Sequence, residues 1–362
     1  MRSLARLARS LAPLTLITAL GACSHKSPNG PSPPTGPPRM FLMGFSPIPP
    51  KADQATVLPN LEMWTRRADA GIMHIPPPWD SLLAGTRPDS LVLRAVVPIA
   101  NYYRAKGLRI VITLDVTDGL NRAAEAPALI GAGRSLTEPA VQMLYRRYAR
   151  AIDSLITPAY LGLAAETNLI RAAASPTLYA AVRQAANDAA ADVRARDGAV
   201  RLYVSVQVDV AWGALGGGGY AGIATDLADF PFVQVVGLSA YPYLAGFAEP
   251  DSVPLDYYER ITRGTALPGM LVEGGWTSAS VGGVVSDPAK QARWIRRQFA
   301  LLDSAKAVGV FQLTFADLDT TGLGLPAGSI LPLFASIGLV DKDLVPKPAL
   351  APWDSAFARP RR

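Results

Sequence analysis

An α/β chain closed into a single (β/α)8 TIM barrel is the fold this sequence predicts, and three observations predict it. Short apolar runs alternate with amphipathic stretches from Met40 to the end of the chain. There are eight such runs, at 40–45, 72–75, 109–114, 160–164, 201–206, 233–239, 270–272 and 308–314. No Gly-x-Gly-x-x-Gly follows the first run, which argues against a doubly wound open sheet. The run at 233–238, Val-Gln-Val-Val-Gly-Leu, is nearly continuous in apolar residues, as suits a strand buried on both faces.

Helices are expected between the runs, with recognisable starts. Ser175-Pro176 and Asp287-Pro288 read as N-caps with proline in the first turn, and Thr137 shortly before Pro139 reads likewise. Beyond Pro139, Val141, Leu144, Tyr145, Tyr148, Ile152 and Leu155 recur at helical spacing. Beyond Pro288, Ile295, Phe299 and Leu302 do the same. The chain has 362 residues, 49% of them hydrophobic and 18% charged, enough for one large core. Barrels of this kind run to about 250 residues or more as one domain.

The first segment reads as an address. Arg2, Arg6 and Arg9 precede an apolar run ending in Leu20-Gly21-Ala22-Cys23. The run is too short to span a bilayer comfortably, so residues 1–22 are expected to be a signal peptide. The ending resembles the lipobox of bacterial lipoproteins, which implies cleavage before Cys23 and acylation of that residue, the chain's only cysteine. Residues 23–38, rich in proline, serine and glycine, read as a semi-rigid tether. The resemblance implies export and a lipid anchor, with Ser24 pointing to the outer membrane. The domain proper is expected at 39–357.

The net charge is +6, part of it at the two ends, and no basic stripe interleaved with aromatics runs through the interior. Nucleic-acid binding is therefore not expected, nor is a cofactor. The two histidines, one of them in the tether, supply a zinc site or a histidine triad poorly, and no calcium loop is complete among Asp317, Asp319, Asp341 and Asp343. Gly216–Gly219 lacks the Lys-Ser/Thr of a phosphate loop. A monomer is expected.

Chemistry in such barrels sits where strands end. The fourth run reads Tyr160-Leu-Gly-Leu-Ala-Ala-Glu166-Thr-Asn168 and the seventh Gly269-Met-Leu-Val-Glu273-Gly-Gly-Trp276. A carboxylate at the end of an apolar strand is costly to bury, so two converging on one barrel mouth suggest use. Retaining glycosidases need such a pair about 5 Å apart, one to attack the sugar carbon and one to protonate the leaving oxygen. Asp115 and Asp118, at the end of the third run, are read as sugar-hydroxyl ligands or loop caps.

Glutamates ending strands four and seven resemble the pattern of the barrel superfamily of retaining glycoside hydrolases. Gly237-Leu-Ser-Ala-Tyr241-Pro-Tyr243, the seventh-strand phrase and the ending Gly338-Leu-Val-Asp-Lys-Asp-Leu-Val-Pro-Lys347-Pro348 are similar to the arabinogalactan endo-β-1,4-galactanase family. The resemblance implies that Glu166 is the acid/base, raised in pKa, that Glu273 is the ionised nucleophile, and that Tyr241 hydrogen-bonds it. It implies a β-linked polysaccharide or oligosaccharide as substrate. Trp79, Trp212, Tyr243 and Trp276 follow strand ends and are candidate sugar platforms, with loop packing as the alternative for each. The chain departs from the family at Ala165, where an asparagine normally precedes the acid/base; Asn168 is the candidate substitute. It also departs at Phe315, near which relatives offer a tryptophan, and in having no arginine after the second run. Those departures define the alternative, a non-catalytic carbohydrate-binding lipoprotein on a decayed barrel. A structural lipoprotein that merely uses the fold is a third reading.

Overall fold

Eight of the apolar runs become strands because each is flanked by turn residues and finds a partner on both edges. In the computed structural model, which describes residues 36–362 apart from 52, 216, 217 and 326, they are β1 Leu42–Phe45, β2 Ala70–Ile75, β3 Arg109–Leu114, β4 Tyr160–Gly162, β5 Arg201–Gln207, β6 Val235–Ala240, β7 Gly269–Gly274 and β8 Gly309–Gln312. Every strand pairs in parallel with its neighbours, and β8 closes on β1, giving a complete (β/α)8 barrel. The signal segment, Cys23 and the tether as far as residue 35 lie outside the described residues.

Alternation along the strands decides what fills the barrel. Leu42, Ile72, Val111, Tyr160, Tyr203, Val235, Val272 and Phe311 point inward and form their own cluster, separate from the larger core between strands and helices. Tyr203 is the largest of these infills besides Tyr160, and its hydroxyl meets Thr113 Oγ1 at 2.6 Å. Its ring leaves no room beside it: a Cβ on Gly162 would stand 2.6 Å from the Tyr203 ring, and one on Gly237 2.9 Å. Glycine is required at both strands for this close approach.

The helices bury the expected stripes. In Pro139–Ile156, Val141, Tyr145, Tyr148 and Ile152 are buried, with Leu144 and Leu155 packed partly against the core. Pro176–Arg194 and Pro288–Ser304 begin as expected: Ser175 accepts from the Leu178 N–H and Asp287 from the Lys290 N–H, at 3.2 and 2.7 Å. Thr137 does not cap its helix. Glu138 occupies the N-cap position, and Thr137 spends its hydroxyl on Ser135. The chain's end is also tied down further than residue 357, since the Arg39 N–H donates to Pro360 O and Arg359 pairs with Asp303.

One element was not expected. After β3 a short antiparallel hairpin, Thr117–Asp118 with Asn121–Glu125, turns at Gly119-Leu120 and folds over the barrel mouth.

Candidate active site

The inward parity of each strand carries on past its last paired residue, and this assembles the cleft. Ile72 and His74, Val111 and Asp115, Tyr203 and Gln207, Val235 and Tyr241 each share a parity, as do Tyr160 and Glu166. His74, Asp115, Glu166, Gln207 and Tyr241 accordingly stand together at the C-terminal end of the barrel, around a cavity of about 380 Å³. Glu273 has the wrong parity, since Met270 and Val272 are the inward residues of β7. A register shift rescues it: Leu238 pairs with Leu271 but Ser239 with Glu273, so Val272 is the extra residue of a bulge. Bulges re-aim side chains in this way, and Glu273 joins Glu166 in the wall of the same cavity.

Glu166 has a left-handed backbone, φ 48° and ψ 48°, where the chain turns from β4 into helix Thr167–Ala173. Glycine is the residue favoured there, and a side chain held in this region costs about 1–2 kcal/mol. Its N–H donates to Ser205 Oγ at 2.8 Å and its carbonyl accepts from Leu169 and Ile170, so the turn is pinned on both sides. Glu166 is 7% exposed and its Oε2 accepts from Arg122 Nε at 2.8 Å. The other end of Arg122 donates to both oxygens of Asp115, at 2.6 and 2.7 Å. The hairpin over the mouth thus inserts an arginine between two acids of the floor.

Glu273 Oε1 accepts from the Tyr241 hydroxyl at 2.8 Å, the contact that the family resemblance implied. Its pKa is pushed up to about 8, first by burial and then by the charge of Glu166, against the opposing pull of Arg122 and Tyr241. This departs from the expected roles, in which Glu273 is the ionised member of the pair. The physical reason is burial, with the charge of Glu166 beside it; Arg122 pulls the other way but is bonded to Glu166 and Asp115. His74 Nε2 approaches Glu273 Oε2 at 3.7 Å. Burial, with Arg122 adding to it, lowers His74 to about 4, so the ring is neutral near pH 7 and the approach is not an ion pair.

The remaining candidates fall elsewhere. Asn168 is buried and bonded to the backbone of Gln207: its amide donates to Gln207 O at 2.8 Å and its carbonyl accepts from the Gln207 N–H at 2.7 Å. It laces β4 to β5 through both ends of its amide and does not line the cleft, so it does not stand where the asparagine missing at Ala165 would act. Trp276 is buried against Trp294, ring centroids 5.4 Å apart, and its indole N–H donates to Ser286. Trp79 is buried in the core at the start of a short helix, Trp79–Leu83. Tyr243 is buried beside Trp276, and its hydroxyl donates to Leu333 O. Trp212 stacks on Tyr257 under the guanidinium of Arg260. None of these four rings lines the cleft; Trp79, Tyr243 and Trp276 are buried in the core and Trp212 is half-buried against it. Phe315 is likewise buried, edge-on to Phe45 at 5.0 Å.

Sequence reasoning missed Arg122 and Asp209. The Asp118-Gly119 dipeptide was a hairpin signal that could have placed Arg122 over the mouth. Asp209 is fully buried; it accepts from the Tyr241 N–H at 3.2 Å, from Gln207 Nε2 at 2.9 Å and from the Tyr257 hydroxyl. It fixes the backbone that aims Tyr241 at Glu273.

No family model matches this chain, and no curated protein matches it. Solved structures do. An exo-β-1,4-mannosidase from Opitutaceae bacterium strain TAV5 matches with a TM-score of 0.65 at 17% identity, over 88% of this chain and 59% of its own. The chain also spans 50% of a β-glucuronidase from an uncultured Clostridium, so the first of these relatives are substantially longer proteins. The GH53 catalytic domain of Ignisphaera aggregans matches over 91% of this chain and 99% of its own, with a TM-score of 0.60 at 16% identity. Xylanase 10B from Thermotoga maritima matches over 88% and 95%, with a TM-score of 0.60 at 12% identity. These relatives are glycoside hydrolases, and what they share with this chain is the (β/α)8 barrel.

Proposed function

We propose that the protein is a glycoside hydrolase that cleaves a β-glycosidic bond with retention, using Glu166 as acid/base and Glu273 as nucleophile. The observation that carries this reading is the convergence of the two glutamates, from the ends of β4 and β7, on one cleft with Tyr241 bonded to Glu273. The strained backbone of Glu166 supports it, since an unfavourable conformation at a cleft is retained where a side chain is needed there. In the first step Glu273 would bond to the sugar carbon while Glu166 protonates the departing oxygen. In the second, water, deprotonated by Glu166, would displace Glu273.

In the resting cleft Glu273 is held above the usual carboxylate range and Glu166 is bonded to Arg122. Turnover in these roles requires Arg122 to release Glu166, and its two bonds to Asp115 give it a second anchor. The same ion pair, with Ala165 ahead of Glu166, favours the second reading, a carbohydrate-binding protein without turnover. As to substrate, the family resemblance supports β-galactan among β-linked polysaccharides. We further propose export and a lipid anchor on Cys23 at the outer membrane, carried by the Leu20-Gly21-Ala22-Cys23 ending. Monomer remains the proposed state.

The test is a screen of the purified protein on β-galactan, β-mannan, β-glucan and xylan, together with aryl β-glycosides, reading reducing ends and released phenol. On an aryl substrate that the wild type cleaves, Glu273→Gln should abolish turnover. Glu166→Gln should still form the covalent intermediate, and added azide should trap it as a glycosyl azide of retained configuration. Wild-type rates in both variants would remove these acids as the pair. Binding of a glycan without any turnover would favour the second reading.

A further inference from the structure

The floor of the cleft is polar, but its rim is not. Leu120, Leu169, Leu215, Leu244, Leu318 and Ile330 stand around it, from the segments that follow β3, β4, β5, β6 and β8. Leu120, Leu215 and Ile330 are 44%, 45% and 38% exposed, so aliphatic surface is held open to water at the mouth. Exposed apolar surface gathered in a concave site marks binding. Among the described residues no tryptophan lines this cleft, and Tyr241 and Phe334 are its aromatic side chains. A second sugar lying on this rim would press hydroxyls against hydrocarbon that cannot hydrogen-bond them, which works against binding. A second, mainly apolar cavity of about 300 Å³ adjoins the first: Ile48 and His74 form part of both walls, and Pro47, Ile75, Val96 and Ile99 line its far side.

We infer that the bond cleaved joins one sugar to an aliphatic alcohol, in place of the further sugar that a β-galactan would present, and that this alcohol occupies the rim. The inference rests on the reading of Glu166 and Glu273 as a glycosidase pair. The sugar ring sits on the polar floor among His74, Asp115, Gln207 and Tyr241. The hydrocarbon of the alcohol lies along the leucines and Ile330, and the cavity beyond Ile48 takes further carbons. The step balances as in any retaining hydrolysis. The C1–O bond breaks, the alcohol oxygen leaves with the proton from Glu166, and Glu273 bonds to C1 until water replaces it.

The experiment compares methyl, hexyl and octyl β-glycosides of glucose, galactose and mannose with the purified full chain, each below its micelle concentration. A buried methylene strengthens binding roughly threefold to fourfold. For the sugar accepted, kcat/KM should therefore rise about tenfold or more from methyl to octyl, and Leu120→Asn with Ile330→Asn should flatten that rise. A parallel arm presents a glycosyl diacylglycerol in phosphatidylcholine vesicles: sugar release there identifies the alcohol as a lipid, and release confined to the soluble series identifies a smaller one. Equal kcat/KM for methyl and octyl glycosides, or turnover confined to polysaccharide, overturns the inference while leaving the glycosidase reading intact. If no substrate turns over, that reading fails, and calorimetry decides the rim separately: octyl glycosides binding tenfold tighter than methyl support it, and equal binding overturns it.

Discussion

Replacing Glu273 by glutamine removes a carboxyl that the cleft holds against its ordinary charge state, and the consequence is readable in stability before any substrate is known. Burial and the neighbouring Glu166 raise Glu273 from 4.5 to about 8. At 1.36 kcal/mol per unit, that rise corresponds to at most about 5 kcal/mol. The side chain is 17% exposed at the mouth, so solvent screens part of it and leaves about 2–3 kcal/mol. Because the folded pKa lies above the unfolded one, this stabilisation is fully present below about pH 4.5 and is lost as pH rises through about 8. Glutamine, a neutral stand-in for the protonated acid, has nothing to lose. Urea unfolding of wild type and Glu273→Gln at pH 5, 7 and 9 should show near-equal stabilities at pH 5, with the variant ahead by about 2–3 kcal/mol at pH 9. Other titrating groups are common to both proteins and cancel in the difference. A stability gap that does not grow with pH would refute the electrostatic description of the cleft.

Three further outcomes are expected. With Glu273 as nucleophile, kcat/KM rises with pH toward about 8, because the acid must first lose its proton; a rate that falls between pH 7 and 9 would assign Glu273 to the acid role instead. Trp276→Ala removes a buried ring packed on Trp294 and should cost about 3–5 kcal/mol in urea unfolding. An effect on KM with unfolding unchanged would return Trp276 to the sugar site. Cys23→Ala should leave the domain folded and move the protein from the membrane to the soluble fraction on cell fractionation; a variant still bound to membranes would contradict lipid anchoring.

The sequence by itself determined the barrel and the two acids. A strand buried on both faces must be a short apolar run, and eight such runs with helical stripes between them leave few architectures besides a closed parallel barrel. Counting inward parity from Tyr160 reaches Glu166, and from Val235 reaches Tyr241, so most of the cleft floor was legible once strand faces were assigned. Glu273 was found by its place at a strand end, although its parity is wrong. Only the bulge opposite Leu238 and Ser239 turns it inward, and a bulge depends on pairing with a neighbouring strand, which no local pattern reveals.

Tertiary structure alone decided which partners meet. Arg122 is far from Glu166 along the chain, and the hairpin fold brings its guanidinium to 2.8 Å from that carboxylate. That contact commits Arg122 to Glu166, while burial and the neighbouring Glu166 hold Glu273 above the usual carboxylate range. Trp79, Trp212, Tyr243 and Trp276 follow strand ends as sugar platforms do, but a ring's role depends on where its faces point, and here three are buried in the core and Trp212 packs half-buried on Tyr257, away from the cleft. The aliphatic rim was invisible for the same reason. Leu120, Leu244 and Ile330 sit in loops far apart in sequence, and only closure of the barrel sets them around one mouth, because a cleft is a property of convergence and not of any one segment.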